Sequence, residues 1–290
     1  MFNIDKILVP YDKKISLKDY KTDYCGKYNK KTAQKALKKN VEKLAKYQDL
    51  FWADDRYSML IVLQAMDAAG KDGVIRHVMS GLNPQGCVVH NFKAPTKEEL
   101  DHDFLWRHYR RLPERGQIGI FNRSHYENVL VCKVHPEYVM GEKLPFVSSV
   151  EQVDEKFWKK RYEQINDFEK LLNDNGCVVL KFFLNVSKEE QKNRFLERLR
   201  TKEKNWKFSS ADLAERKFWD KYQEVFEDML NHTSTKYAPW HVIPADNKWF
   251  ARVAVGQIIV DTFKKLELRY PKPESKEAIQ KAIDALLNEK

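Results

Sequence analysis

Met59-Leu-Ile-Val-Leu-Gln-Ala-Met-Asp-Ala-Ala-Gly-Lys-Asp-Gly73 joins an apolar run to a glycine-lysine pair, and then to Val74, Ile75 and Val78 at helical spacing. Strand, short loop and helix in that order are what a phosphate-binding loop requires. Its backbone N–H groups curl round phosphate oxygens at a helix N-terminus while a lysine reaches toward the transferring phosphates. The usual pattern is G-x-x-x-x-G-K-[ST]; here Ala65 replaces the first glycine and Asp72 the hydroxyl residue. Ala68, Ala69, Gly70, Asp72 and Gly73 are expected to touch phosphate, and Lys71 to be catalytic. Asp67 sits inside the loop, where a carboxylate beside phosphate needs a divalent cation between them. Magnesium is expected there, with manganese as a substitute. The bland alternative is a turn whose aspartates cap the following helix.

Outward from this stretch, short apolar runs alternate with helical patterns, which predicts an α/β fold with a parallel sheet. The strand candidates are Met59–Gln64, Cys87–Asn91, Gln117–Phe121, Cys177–Leu184 and His241–Ile243. Capping boxes are expected at Thr96 with Glu99 and at Ser187 with Glu190. A long helix is expected from about Val150 to Asn173, ending before Asn175-Gly176. Residues 1–56 read as a basic extension whose helix places Leu37, Val41, Leu44 and Phe51 on one stripe. Residues 57–268 form the core with a lid at about 188–231, and 269–290 a peripheral helix, all in one domain.

Charge narrows the partners. The net charge is +10, and residues 1–50 hold 13 Lys against 6 acids. Such a surface attracts polyanions, unless it serves only solubility. No apolar run approaches a membrane span, no nucleic-acid motif appears and no secretory pattern opens the chain. The four cysteines lack paired spacing, so reduced thiols and a cytoplasmic setting are expected. Trp206, Trp219, Trp240 and Trp249 read as core or interface residues.

Two further groups carry chemistry. Gln117-Ile-Gly-Ile-Phe-Asn-Arg-Ser-His-Tyr-Glu127 is a strand ending in polar residues, at the sheet edge where α/β proteins bind ligands. Arg123 and His125 are expected on phosphate, and Asn122 and Glu127 beside the nucleotide or metal-bound water; a helix-capping turn is the alternative. Arg194 and Arg198 share a helix face and would offset charge on a transferring phosphoryl group, with Lys207 extending the patch. A solvated charged helix is the alternative there.

The chain resembles the polyphosphate kinase 2 family over nearly its whole length. The matching segments include Gln64–Gly73, Leu82-Asn-Pro-Gln-Gly86, Ala94-Pro-Thr96, Asp103–Arg107, Phe121–Tyr126, Leu180–Leu184, Trp206-Lys-Phe208, Ala238-Pro-Trp240 and Ile243-Pro-Ala245. The resemblance implies a P-loop kinase fold with a three-layer α/β/α core, a five-stranded parallel sheet, a helical lid and magnesium. It also implies homo-oligomers (dimer or tetramer) and reversible transfer between polyphosphate and purine nucleotides (ADP, ATP, AMP, GDP). It carries metal binding to Asp67, the loop lysine to Lys71 and lid arginines to Arg194 and Arg198. Polyphosphate is expected in a cationic groove fed by Lys93, Lys133 and the N-terminal basic segment, with Arg76 also on phosphate and Asn83, Pro95 and Thr96 at the nucleotide. Some members have Asp where Asn122 stands and Trp where His125 stands. The form present here resembles the branch that accepts AMP as well as ADP. Two rivals remain: an ATP-dependent nucleoside monophosphate kinase and a non-catalytic polyanion-binding protein.

Overall fold

Five strands form one parallel sheet in the order β2-β3-β1-β4-β5: β1 Ser58–Ala65, β2 Cys87–Asn91, β3 Ile118–Asn122, β4 Cys177–Asn185 and β5 Trp240–Pro244. The computed structural model describes residues 2–289, and of Lys207 the backbone alone. The strands lie within one or two residues of their expected limits. β1, the central strand, is buried along nearly its whole length, as a strand covered by helices on both faces must be.

Helix Lys248–Lys265 buries residues around most of its circumference, including Phe250, Val255 and Phe263. It packs against helix Lys30–Asp54. That outer helix starts with a capping box between Asn29 and Thr32, and it buries Ala33, Asn40, Leu44, Gln48 and Phe51. The expected stripe is therefore rotated: Leu37 and Val41 are only half-buried, and Asn40 and Gln48 take inner places. Asn40 packs where the two helices approach closely, about the bare Cα of Gly256.

The N-terminal residues do more than decorate the core. Leu8 bridges His241 antiparallel, Val9 N–H donates to Trp240 O at 2.9 Å, and Val242 N–H donates to Ile7 O at 2.7 Å. With Ile7 and Val9 buried, this segment covers the β5 edge, which would otherwise offer open backbone groups to another chain.

Two expected boundaries move. The long helix spans Glu155–Asp174, capped by Asp154, with only a 3-10 turn at Val150–Gln152. Ser187 accepts from Glu190 N–H, while Thr96 and Glu99 form the full reciprocal box. Of residues 188–231, expected as a lid, helix Trp219–Thr233 buries Trp219, Tyr222, Phe226 and Met229 in the core, which leaves helix Lys188–Arg200 and residues 201–218 outside it.

Inside the core, Lys181 donates to Glu169 Oε2 at 2.6 Å, Tyr126 OH at 2.9 Å and Thr233 O at 2.6 Å. Tyr126 OH and His125 Nε2 close the group on Glu169 Oε1 at 2.7 and 3.2 Å. Every ammonium proton is thus engaged. Lys181→Met leaves the Glu169 carboxylate buried without its counter-charge, and we expect a loss of about 3–5 kcal/mol. Urea unfolding measures it; a change below about 1 kcal/mol would show that the network contributes little.

Candidate active site

The loop between β1 and helix Lys71–Val78 holds its shape through two left-handed residues. Ala68 has φ 62° and Gly70 φ 111°, the latter a conformation that only glycine adopts readily. Ala65 remains in β1, paired with Leu184, so no glycine is needed at that position. Lys71 Nζ donates to Ala65 O at 2.9 Å, which closes the loop on itself. Burial pulls the Lys71 ammonium below its usual range, and Asp67 opposes that shift.

β3 delivers the next residues. Its register pairs Asn122 with both Leu63 and Asn91, which brings three strand tips together. Asn122 Nδ2 donates to Asp72 Oδ1 at 2.9 Å and to Asn91 Oδ1 at 2.6 Å. Arg123 then turns left-handed, φ 62°, and its Nη2 donates to Asp67 Oδ1 at 2.9 Å. Backbone strain of this kind concentrates at ligand sites. Glu127 lies close by: burial first pushes its carboxyl above the usual range, with Arg123 and Lys71 opposing.

Asp67, Lys71, Asp72, Asn91, Asn122 and Arg123 face a cavity of about 910 Å³, whose lining does not include Glu127. Its floor is the loop from Asp67 to Val74, and one wall is Asn91–Ala94 with Asn122 and Arg123. Above stand Arg198, Lys204 and Trp206; opposite are Lys248 and Arg252. Eight Lys and Arg side chains line it against three carboxylates, so it concentrates anions. Lys93 is on the wall. From the lid, Asp212 approaches Arg198 at 3.8 Å; burial and then Asp67 raise its carboxyl above the usual range.

Several expected residues stand elsewhere. His125 is fully buried, bonded to Glu169 in the core network; the left-handed turn at Arg123 sends the arginine to the cavity and the imidazole inward. Burial lowers the His125 pKa despite Glu169. Lys133 is committed to Asp228 at 2.5 Å and Glu155 at 3.5 Å, away from the cavity lining. The wall ends at Ala94, so Pro95 and Thr96 stand outside it; Thr96 caps a helix instead. Asn83 is held by Gln48, which accepts its N–H at 2.7 Å and donates to its carbonyl at 2.8 Å. Arg76 is exposed on its helix, outside the lining. The side chain of Lys207 lies outside the described residues.

Arg194 plays a different part from the one expected. Nη1 donates to Ala68 O at 3.1 Å and Ala69 O at 2.6 Å, Nη2 to Ala245 O at 2.5 Å and Asp246 O at 3.0 Å, and Nε to Glu190 Oε1 at 2.7 Å. All five donors of a guanidinium are spent, so none is left for phosphate. Gln191 adds a bond from Nε2 to Asp67 O at 3.0 Å. The lid helix thereby clamps the phosphate loop to the segment after β5.

The sequence reading also missed Lys248, Arg252 and Asn91. Strand-tip logic applied to β5 and β2 would have found them, since all three lie at or just after carboxyl ends. Trp206, expected in the core or an interface, is 78% exposed and lines the cavity; nothing in local periodicity marks that.

A glycine-lysine loop after the central strand of a parallel sheet, under a cationic cavity, is the architecture of the phosphate-binding-loop α/β proteins. Residues 27–271 match the family model of polyphosphate kinase 2, and the chain belongs to that family. It is 52% identical over 235 residues to an ADP-polyphosphate phosphotransferase of Rhodopseudomonas palustris, covering 81% of this chain and 80% of the relative. It is 43% identical over 272 residues to an AMP/ADP-polyphosphate phosphotransferase of Meiothermus ruber, covering 93% and 96%. The crystal structure of polyphosphate kinase 2 from Arthrobacter aurescens superposes with a TM-score of 0.87 at 37% identity, over 97% of this chain and 95% of that one.

Proposed function

We propose that this protein transfers phosphoryl groups between inorganic polyphosphate and purine nucleotides, making ATP from ADP and working on AMP and GDP as further acceptors. The observation that carries the reading is the closed loop of Lys71 set under a cavity with eight cationic side chains. The cationic lining also runs past the loop to Lys248 and Arg252, which suits a long anionic donor better than a single nucleotide. The relatives' names support polyphosphate, ADP and AMP among these substrates.

The reaction is an in-line displacement. A nucleotide phosphate oxygen attacks the terminal phosphorus of the chain, the bridging P–O bond breaks, and the shortened polyphosphate leaves with the electron pair. Lys71, Arg123 and Arg198 offset the charge that spreads over the transferring group, and loop N–H groups orient it. No covalent enzyme intermediate is required. Among the described residues no three acidic, His or Cys side chains cluster as a metal cage. Asp67, half-buried and with one oxygen on Arg123, suits magnesium, which is commonly held by one or two carboxylates plus substrate phosphates. When bound, magnesium would neutralise phosphate charge beside Asp67. No helix is long and apolar enough to cross a membrane among the described residues, and the four cysteines are free thiols, which supports a cytoplasmic setting. Homo-oligomers, dimeric or tetrameric, are part of the same proposal.

The first test is production of ATP from ADP with polyphosphate as the only donor, against ATP with AMP as the alternative pair. Turnover with ATP and AMP but none with polyphosphate would favour the monophosphate kinase; turnover with neither would favour a polyanion binder. Asp67→Asn should raise the magnesium concentration needed for half-maximal rate at least about tenfold, by analogy with the loss of a metal-site partner. An unchanged magnesium curve would remove Asp67 from that role.

A further inference from the structure

We infer that the lysine face of helix Lys30–Asp54 is a distal rail for long polyphosphate, joined to the catalytic cavity; the inference rests on the phosphotransfer reading above. A second cavity of about 370 Å³ lies beside the first, and the two share Lys248 and Arg252 in their walls. The far wall of the second is Lys30, Ala33, Gln34 and Leu37, at the start of that helix. Its two carboxylates are already engaged, Glu190 by Arg194 and Asp246 by Thr22 and the Ser187 N–H. An anionic chain leaving the catalytic cavity over Lys248 and Arg252 therefore arrives at the helix N-terminal turn.

From there the outer face of the helix continues the track. Residues 30–39 hold five lysines and no acid, and Lys31, Lys35, Lys38 and Lys39 are exposed, opposite the inner face of Ala33, Asn40 and Leu44. Lys43 and Lys46 follow, with Glu42 and Asp49 as the exposed acids. At 1.5 Å per residue, Lys31 to Lys46 spans about 22 Å. Among the described residues no carboxylate lies within ion-pair distance of any of these six lysines.

A face kept only for solubility has a different composition. The exposed positions of helix Glu155–Asp174 of the same protein carry four cations and four acids. Lysines four apart, as Lys31 with Lys35 and Lys35 with Lys39, repel by a few tenths of a kcal/mol each. A polyanion lying along them removes that repulsion and releases its counterions.

The test is a variant with Lys31→Gln, Lys35→Gln, Lys38→Gln and Lys39→Gln, which keeps helix-forming side chains and leaves the catalytic cavity intact. KM for polyphosphate of hundreds of units should rise about tenfold, and its dependence on salt should flatten. KM for a chain of a few phosphates and kcat should stay within about twofold. Equal changes for long and short chains, or no change for either, overturn the rail. Retention of labelled long polyphosphate on filters, with single-stranded RNA as competitor, reads the same face without turnover. Loss of retention in the variant supports the rail, and displacement by RNA at equal charge overturns its assignment to polyphosphate. Absence of turnover in the wild type with undiminished, lysine-dependent retention would sink the catalytic reading and leave the rail standing.

Discussion

Lys71→Ala is expected to lower kcat about a thousandfold, roughly 4 kcal/mol of transition-state stabilisation. The ammonium is held at the loop by Ala65 O, beside Asp67 and Glu127, and burial keeps it poorly solvated. A charge fixed in such surroundings needs no reorganisation when the phosphoryl group loosens, which is why its loss falls on turnover more than on binding. Lys71→Arg should fail nearly as badly, because a planar guanidinium does not replace a compact ammonium in a loop closed over six residues. Initial rates with ADP and saturating polyphosphate and magnesium give the number, with thermal melting as the check on folding. A variant within tenfold of the wild type would remove Lys71 from the chemistry.

Arg194→Lys should cost at least a hundredfold in kcat while leaving the cationic cavity wall almost unchanged. Its effect is indirect: a single ammonium cannot meet the carbonyls of Ala68, Ala69, Ala245 and Asp246 that the guanidinium spans. The loop then loses its anchor to the segment after β5, and small misplacement of phosphate-binding N–H groups lowers rate steeply. Arg194→Met should also destabilise the fold by about 3 kcal/mol, since buried carbonyls and Glu190 lose their partner. Arg198→Ala is the contrast. Arg198 meets Asp212 at 3.8 Å and lies over the Phe195 ring at 5.5 Å, with no buried carbonyls depending on it, so its removal should weaken polyphosphate binding and turnover with little movement of the melting temperature. A similar stability loss in both variants would mean that the two arginines share one role.

Much of this site was legible without coordinates. The strand-loop-helix pattern around Gly70-Lys71, and the polar end of β3 at Asn122 and Arg123, are local signals, because a phosphate loop needs particular residues at fixed spacing along one stretch of chain. His125, Arg194 and Lys133 were not legible in the same way. Each has the residue type for phosphate, but the backbone after Arg123 turns His125 inward, and Arg194 and Lys133 meet carbonyls and carboxylates from distant segments. Lys248 and Arg252 carry no motif of their own; they join the site because β5 lies next to β4, two strands from β1, which carries the loop.

What the amino-acid order determined by itself is therefore the α/β class, the strand positions, the phosphate loop and the cationic character of the first fifty residues. These follow from periodicity, turn chemistry and charge, which act between residues near in sequence. Tertiary structure alone decided which cations face the cavity, which are spent on bracing the loop, and that the outer helix begins where the cavity wall ends. Those outcomes depend on how distant segments pack against one another, and no short-range pattern encodes that.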